Sequence, residues 1–157
     1  MTDEMIIALA RKDGVIQINF SCSFLNPEVA KDVALMAKLR AEMKDKSAEE
    51  RREALKKLRE QAGPQPRATI DDVVAHILHV IQIAGVDHVG IGSDFDGIPC
   101  APEGLEDVSK FPNLTRKLLE AGLSAADIGK IYGGNLLRVM RAVEKVSAAA
   151  KPPTQYP

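Results

Sequence analysis

Apolar and polar positions alternate with two different periods along the chain. Met5, Ile6, Leu9 and Ala10 recur at three- and four-residue steps. They predict a short helix through EMIIALARK, capped by Thr2 or Asp3 and stopped at Asp13-Gly14. VIQINF, Val15 to Phe20, is short, β-branched and apolar on both parities except at Gln17 and Asn19. That is the pattern of a strand covered on both faces. Ser21 to Pro27 reads as a polar loop holding Cys22 and Asn26. Glu28 to Glu60 is dense in Lys, Arg and Glu, with Val33, Met36, Leu39 and Met43 at helical steps. Two amphipathic helices are predicted, 28–45 and 48–61. Ser47 and Glu50 make a capping box, and Glu53 and Lys57 an i,i+4 pair. This hairpin reads first as a solvated face and second as a partner surface.

After the Gly/Pro break at 62–66, IDDVVAHILHVIQIAG predicts a helix that starts at Thr69 or Asp71 and ends at Gly85. It is apolar nearly all round, so it is expected to be largely buried. HVGIG gives the second strand, 88–93, and Asp94 to Pro102 a loop rich in Gly, Pro and Asp. FPNLTRKLLEAG and SAADIGKIYGGNLLRVMRAVEKV predict closing helices. Ser124 caps the second, Gly133-Gly134 interrupts it, and Asn135 begins a fresh helix. Residues 152–157 look like a disordered tail. Strands separated by helices imply an α/β fold with a parallel sheet. Two strands cannot cover themselves, so the chain reads as part of something larger.

Bulk composition narrows the function classes. The 157 residues suit one domain. With 21 basic and 22 acidic side chains the net charge is −1, which gives no field for nucleic acid or an anionic membrane. No apolar run approaches the ~18 residues of a membrane span, and the N-terminus does not resemble a signal peptide. Cys22 and Cys100 are too few for a disulfide framework, so a reduced, cytoplasmic setting is the default. Six Phe and Tyr and no Trp leave little for stacking on single-stranded nucleic acid.

The candidate chemistry lies in SDFDG, residues 93–97, at the end of the second apolar run. Functional groups of parallel α/β proteins sit where strands end, and Asp94 and Asp96 occupy that place. A plain polar turn competes with this, because Asp bonds its own backbone. A calcium loop fails, since Ile98 and Pro99 stand where an acid and a glycine are needed. D-x-D-G after a strand also resembles the first motif of the haloacid-dehalogenase phosphatases, in which the first Asp is a nucleophile. That reading needs a later strand-end acidic pair, and only Glu106-Asp107, in a loop, follows.

A wider match points elsewhere. HVGIGSDFDG, then EGLEDVSKFPNL, then GGNLLRV, closely resembles the C-terminal part of the membrane (renal) dipeptidase family. TDEMIIALARKDGVIQINF resembles that family's seventh helix–strand passage, and HILHVIQIAG the helix before its eighth strand. The likeness spans residues 1–151 apart from 28–66, which looks like a charged helical insertion. It implies the C-terminal portion of a (β/α)8 barrel, a TIM barrel of amidohydrolase type, and hydrolysis of dipeptides by a zinc-bridging hydroxide. Asp94 matches the family's catalytic proton shuttle, which also contacts substrate. Asn135 matches a position near the bound substrate, with a helix N-cap as its plainer role. Asp96 is left to shape the loop.

Two zinc ions are implied for the whole protein, but their ligands are an early His-x-Asp, a Glu and two later His, and no H-x-D occurs here. His76 and His79 share a helix face that would lie outside the barrel, and His88 opens its strand at the end away from the site. No metal ligand is therefore assigned within this chain. Met1 falls inside the family pattern, and the substrate-gripping Arg would lie upstream of it. The chain is expected to be inactive alone. Its expected partners are a dipeptide substrate and either the missing N-terminal barrel portion or a second copy in a full-length homodimer. A non-catalytic remnant or a partner-dependent binding piece is the second reading.

Overall fold

The computed structural model describes residues 1–62 and 65–150, so the expected tail at 152–157 lies outside the described residues. In chain order the elements are α1 (Asp3–Ala10), β1 (Ile16–Asn19), α2 (Cys22–Leu25), α3 (Pro27–Glu42), α4 (Ala48–Ala62) and α5 (Ile70–Ala84). Then follow β2 (Val89–Ser93), α6 (Phe111–Glu120), α7 (Ala125–Gly129) and α8 (Asn135–Ala149). A 3-10 turn, Val86–His88, leads into β2, and a π-turn, Lys130–Gly134, joins α7 to α8. β1 and β2 pair in parallel, with Ile16 opposite Val89 and Ile18 opposite Ile91. The register shifts between Ile18 and Asn19, so that Asn19 lies opposite Ser93.

Local chemistry sets the helix starts. Thr2 Oγ1 accepts the Met5 N–H, and Ser124 Oγ accepts the Asp127 N–H. Thr69 and Asp72 form a reciprocal capping box on α5. The expected loop at 21–27 instead contains α2. Asn26 ends it and caps α3 by accepting the Glu28 N–H, with Pro27 in the first turn of α3. α5 also differs from its expected all-round burial. Val73, Val74, Ile77 and Val80 are buried, but His76, His79 and Gln82 form an exposed polar strip.

One core joins the sheet to its helices. Ile18, Phe20 and Val89 meet Val73 and Ile77 of α5, and Leu114, Leu118, Ile128 and Ile131 extend it beneath α6 and α7. The opposite sheet face is unlike it. Gln17 lies flat on β2, and a Cβ on Gly90 would stand 2.6 Å from Gln17 Oε1. Glycine at 90 is what lets that side chain cross the neighbouring strand.

The cysteines require a correction. Cys22 and Cys100 form a disulfide with their Cα atoms 5.6 Å apart, and the Cys22 N–H donates to the Cys100 carbonyl. Two cysteines do not make a framework, but the fold brings this pair together across 78 positions. The reduced setting expected from so few cysteines loses its basis in this pair. No helix among the described residues is long and apolar enough to cross a membrane.

Candidate functional site at the trailing end of the sheet

The two ends of the sheet are built differently. At the leading end, side chains clamp backbone. Arg138 donates to the carbonyls of Asp13 and Asp87, and a His88 ring nitrogen lies 2.8 Å from the Gly14 carbonyl. Lys130 pairs with Asp87 at 2.8 Å and holds its carboxyl below the usual carboxylate range. Asn135 is 2% exposed, and its Nδ2 donates to the carbonyls of Val86 and Val89. It is the first residue of α8 rather than its cap, since Gly134 precedes it there.

The trailing end carries Asp94. β2 ends at Ser93, and Asp94 follows in left-handed backbone, φ 70°, after Ser93 at φ 24°. Successive non-glycine residues in this region cost about 1–3 kcal/mol each and persist only where surroundings impose them. Here the bulge shifts the register, the Phe20 N–H holds the Ser93 carbonyl, and the Gly97 N–H closes the turn on the Asp94 carbonyl. Phe95 anchors the turn by edge-on contacts with Phe20 and Phe111 at centroid distances of 5.6 and 6.2 Å. Asp94 is therefore exposed on a turn whose neighbouring side chain is fixed in the core. Its Oδ2 accepts a 2.9 Å hydrogen bond from Asn19 Nδ2 at the end of β1. Asp96 is also exposed on the turn, but the bond that closes it is backbone to backbone.

The following loop is pinned despite its Gly/Pro composition. The disulfide holds Cys100, and Glu103 pairs with the Ala68–Ile70 backbone at 2.8 and 2.9 Å. Leu105 is wholly buried.

Of the residues singled out from sequence, Asp94 stands at the trailing end and Asn135 at the leading end. The five residues of β2 separate them, about 16 Å at strand rise. The structure does not bring the two together. Asn19 is the neighbour of Asp94 that sequence reasoning missed. The histidines are dispersed. His76 reaches the Leu25 carbonyl, His79 reaches Asp3, and His88 is at the leading end. Among the described residues no three His, Cys, Asp or Glu side chains are placed to hold a metal ion. The described residues thus do not fit the implied zinc pair.

Parallel strands with helices on one face and an acid at the strand exit place the chain among α/β proteins of the kind that includes β/α barrels. Comparison with known proteins makes this specific. The model of the membrane dipeptidase family, peptidase family M19, matches residues 1–154. The chain belongs to the membrane dipeptidase family. It is 34% identical over 156 residues to an uncharacterized dipeptidase of Schizosaccharomyces pombe, covering 98% of this chain and 29% of that protein. It is 51% identical over 85 residues to the dipeptidase tcpJ of Claviceps purpurea, covering 54% of this chain and 20% of that protein. Among solved structures, the probable dipeptidase PvdM from Pseudomonas aeruginosa matches with TM-score 0.66 at 30% identity, over 88% of this chain and 39% of that one. A metallopeptidase from Rhodobacter sphaeroides, liganded with a phosphinate mimic of the dipeptide L-Ala-D-Ala, shares the fold at TM-score 0.58 and 24% identity, over 87% of this chain and 29% of that one. The chain spans less than a third of the curated relatives it matches. Family membership also removes the phosphatase reading of the D-x-D-G motif.

Proposed function

We propose that this chain supplies the acid/base carboxylate of a zinc-dependent dipeptidase, with Asp94 in that role. The observation that carries the reading is the placement of Asp94: exposed at the end of β2, on a strained and core-anchored turn, in a chain of the dipeptidase family. A carboxylate there can accept a proton from an attacking water and return it to the departing amine, and can meet the substrate's amino group. The zinc ions supply a Lewis acid and an activated water when bound. Their ligands are not among the described residues, so the chain on its own is inactive and holds no zinc pair. A dipeptide is the substrate of the assembled protein.

The remaining barrel portion is the partner. It would cover the open sheet edge and the apolar stripe of α8, where Leu136, Met140 and Val143 are all about half exposed or more. Absence of a metal-ligand cluster among the described residues favours a second reading, a non-catalytic remnant that keeps the fold.

The test begins with zinc stoichiometry and dipeptide hydrolysis on the purified chain, where neither is expected. Two tightly held zinc ions with turnover would overturn the inactivity of the isolated chain. In a dipeptide-hydrolysing form that contains this segment, Asp94→Asn should lower kcat by about 10²–10⁴. Undiminished turnover in that variant would remove Asp94 from the chemistry, and failure to obtain any hydrolysing form would favour the remnant.

A further inference from the structure

We propose that Asn19 is a positioning residue that sets the orientation of the Asp94 carboxylate, and that Gly97 supplies the space this orientation needs. The inference rests on the acid/base reading of Asp94. Asn19 has two distinct partners. Its Oδ1 accepts the Ser21 backbone N–H at 2.7 Å, and its Nδ2 donates to Asp94 Oδ2 at 2.9 Å. The first bond fixes the second. A backbone N–H can only donate, so the oxygen of the amide must face Ser21 and the NH2 must face Asp94. An aspartate at position 19 would turn a carboxylate oxygen toward Asp94. A leucine would offer nothing to hold it.

The other side of the carboxylate is shaped by an absence. A Cβ at Gly97 would overlap Asp94 Oδ1 and stand 3.1 Å from its Cγ. Any side chain at Gly97 would therefore displace the acid. Held by a donor on Oδ2 and given room at Oδ1, the carboxylate has a set direction on an otherwise exposed turn. Orientation matters for this role because proton transfer requires hydrogen-bond geometry with both the attacking water and the departing nitrogen. Asn19 touches neither substrate nor reacting atoms in this account; it acts through Asp94.

Two variants of the full chain release the contact from opposite sides. Asn19→Ala removes the donor. Gly97→Ala keeps the donor and pushes the carboxylate off it. Three-bond NMR couplings read the side-chain rotamer of Asp94, and the Asn19 side-chain amide resonances read the donor. The wild type is expected to show one Asp94 rotamer. Both variants should show several, and Gly97→Ala should also move the Asn19 amide resonances toward solvent values. Backbone resonances of β1 and β2 away from the turn should stay in place. In the hydrolysing form, Asn19→Ala should lower kcat by about 10–100-fold while KM stays within about twofold, because misplacement penalises the chemical step more than binding.

A single Asp94 rotamer retained in both variants would overturn the proposal. So would broad loss of β1–β2 pairing in Asn19→Ala with a silent Gly97→Ala, which would make Asn19 a strand residue only. Should both variants free the carboxylate while Asp94→Asn leaves hydrolysis intact, the positioning contact is upheld and the acid/base reading of Asp94 falls.

Discussion

Asn135 and Asp94 show how differently two polar residues of one strand's surroundings are used. Asn135 is buried with its amide spent on the Val86 and Val89 carbonyls, so removing it takes a buried donor away from two acceptors. An unmet buried polar group costs about 1–3 kcal/mol. Asn135→Ala should therefore destabilise the chain by about 2–4 kcal/mol, read from the urea midpoint. Asn135→Asp should cost at least as much, because it would press a carboxylate against two carbonyls. A near-neutral result for both would show that α8 is held to β2 by other contacts. The strand-end place of Asp94 was legible in sequence because an acid directly after an apolar run marks a strand end, while its proposed role came only from the family resemblance. Its partner Asn19 was not, because it sits inside a strand pattern and is 75 positions away. Asn135 was visible as a helix start, but nothing local showed that its amide turns inward to strand backbone.

Among the elements, sequence periodicity located both strands and every long helix, because each carries its own hydrophobic repeat and several helices a cap. It missed α2, four residues long and too short to show a period, and it overstated the burial of α5. The junction of the turn before β2 with the π-turn before α8 was likewise invisible, being made by Asp87 and Lys130, 43 positions apart in the chain. That pair carries a pH signature. The hydrogen bond from Lys130 chiefly holds the Asp87 carboxyl below its ordinary value, against the opposing effect of burial. A carboxyl whose folded pKa is depressed stabilises the fold above its unfolded value of about 3.9, and that contribution is lost as pH falls through the folded value. Both side chains are about half exposed, so the effect is small and screened by salt. Asp87→Asn should lower the urea midpoint slightly at pH 6, and the gap from wild type should close as pH falls below about 4. A gap unchanged by that acidification would show that the charge of Asp87 does not contribute.

At the scale of the whole molecule, the sheet divides the work: its leading end is tied by α8 and its trailing end bears the acid. The covalent link belongs to the trailing end. Cys22 follows β1 and Cys100 follows the Asp94 turn, so the disulfide closes a loop of 78 positions around α3, α4, α5 and β2. No local pattern announces such a pair, since it is made by the fold and not by spacing. On the chain-entropy account a loop of this length contributes about 4 kcal/mol, a large share of what a domain of this size holds in reserve. It matters more here because a two-stranded sheet with an exposed apolar α8 has less burial to draw on. Urea unfolding of the purified chain, oxidised and then fully reduced, measures this. With a slope of about 2 kcal/mol/M, reduction should move the midpoint down by about 2 M. The double variant Cys22→Ala, Cys100→Ala should behave like the reduced chain and show no further change on reduction. Thiol titration of the oxidised chain under denaturing conditions should find no free cysteine. Finding two there, or equal midpoints in both redox states, would mean the fold is held without the bond and that the trailing loop relies on its non-covalent contacts, the Ala68–Glu103 pairing and buried Leu105 among them.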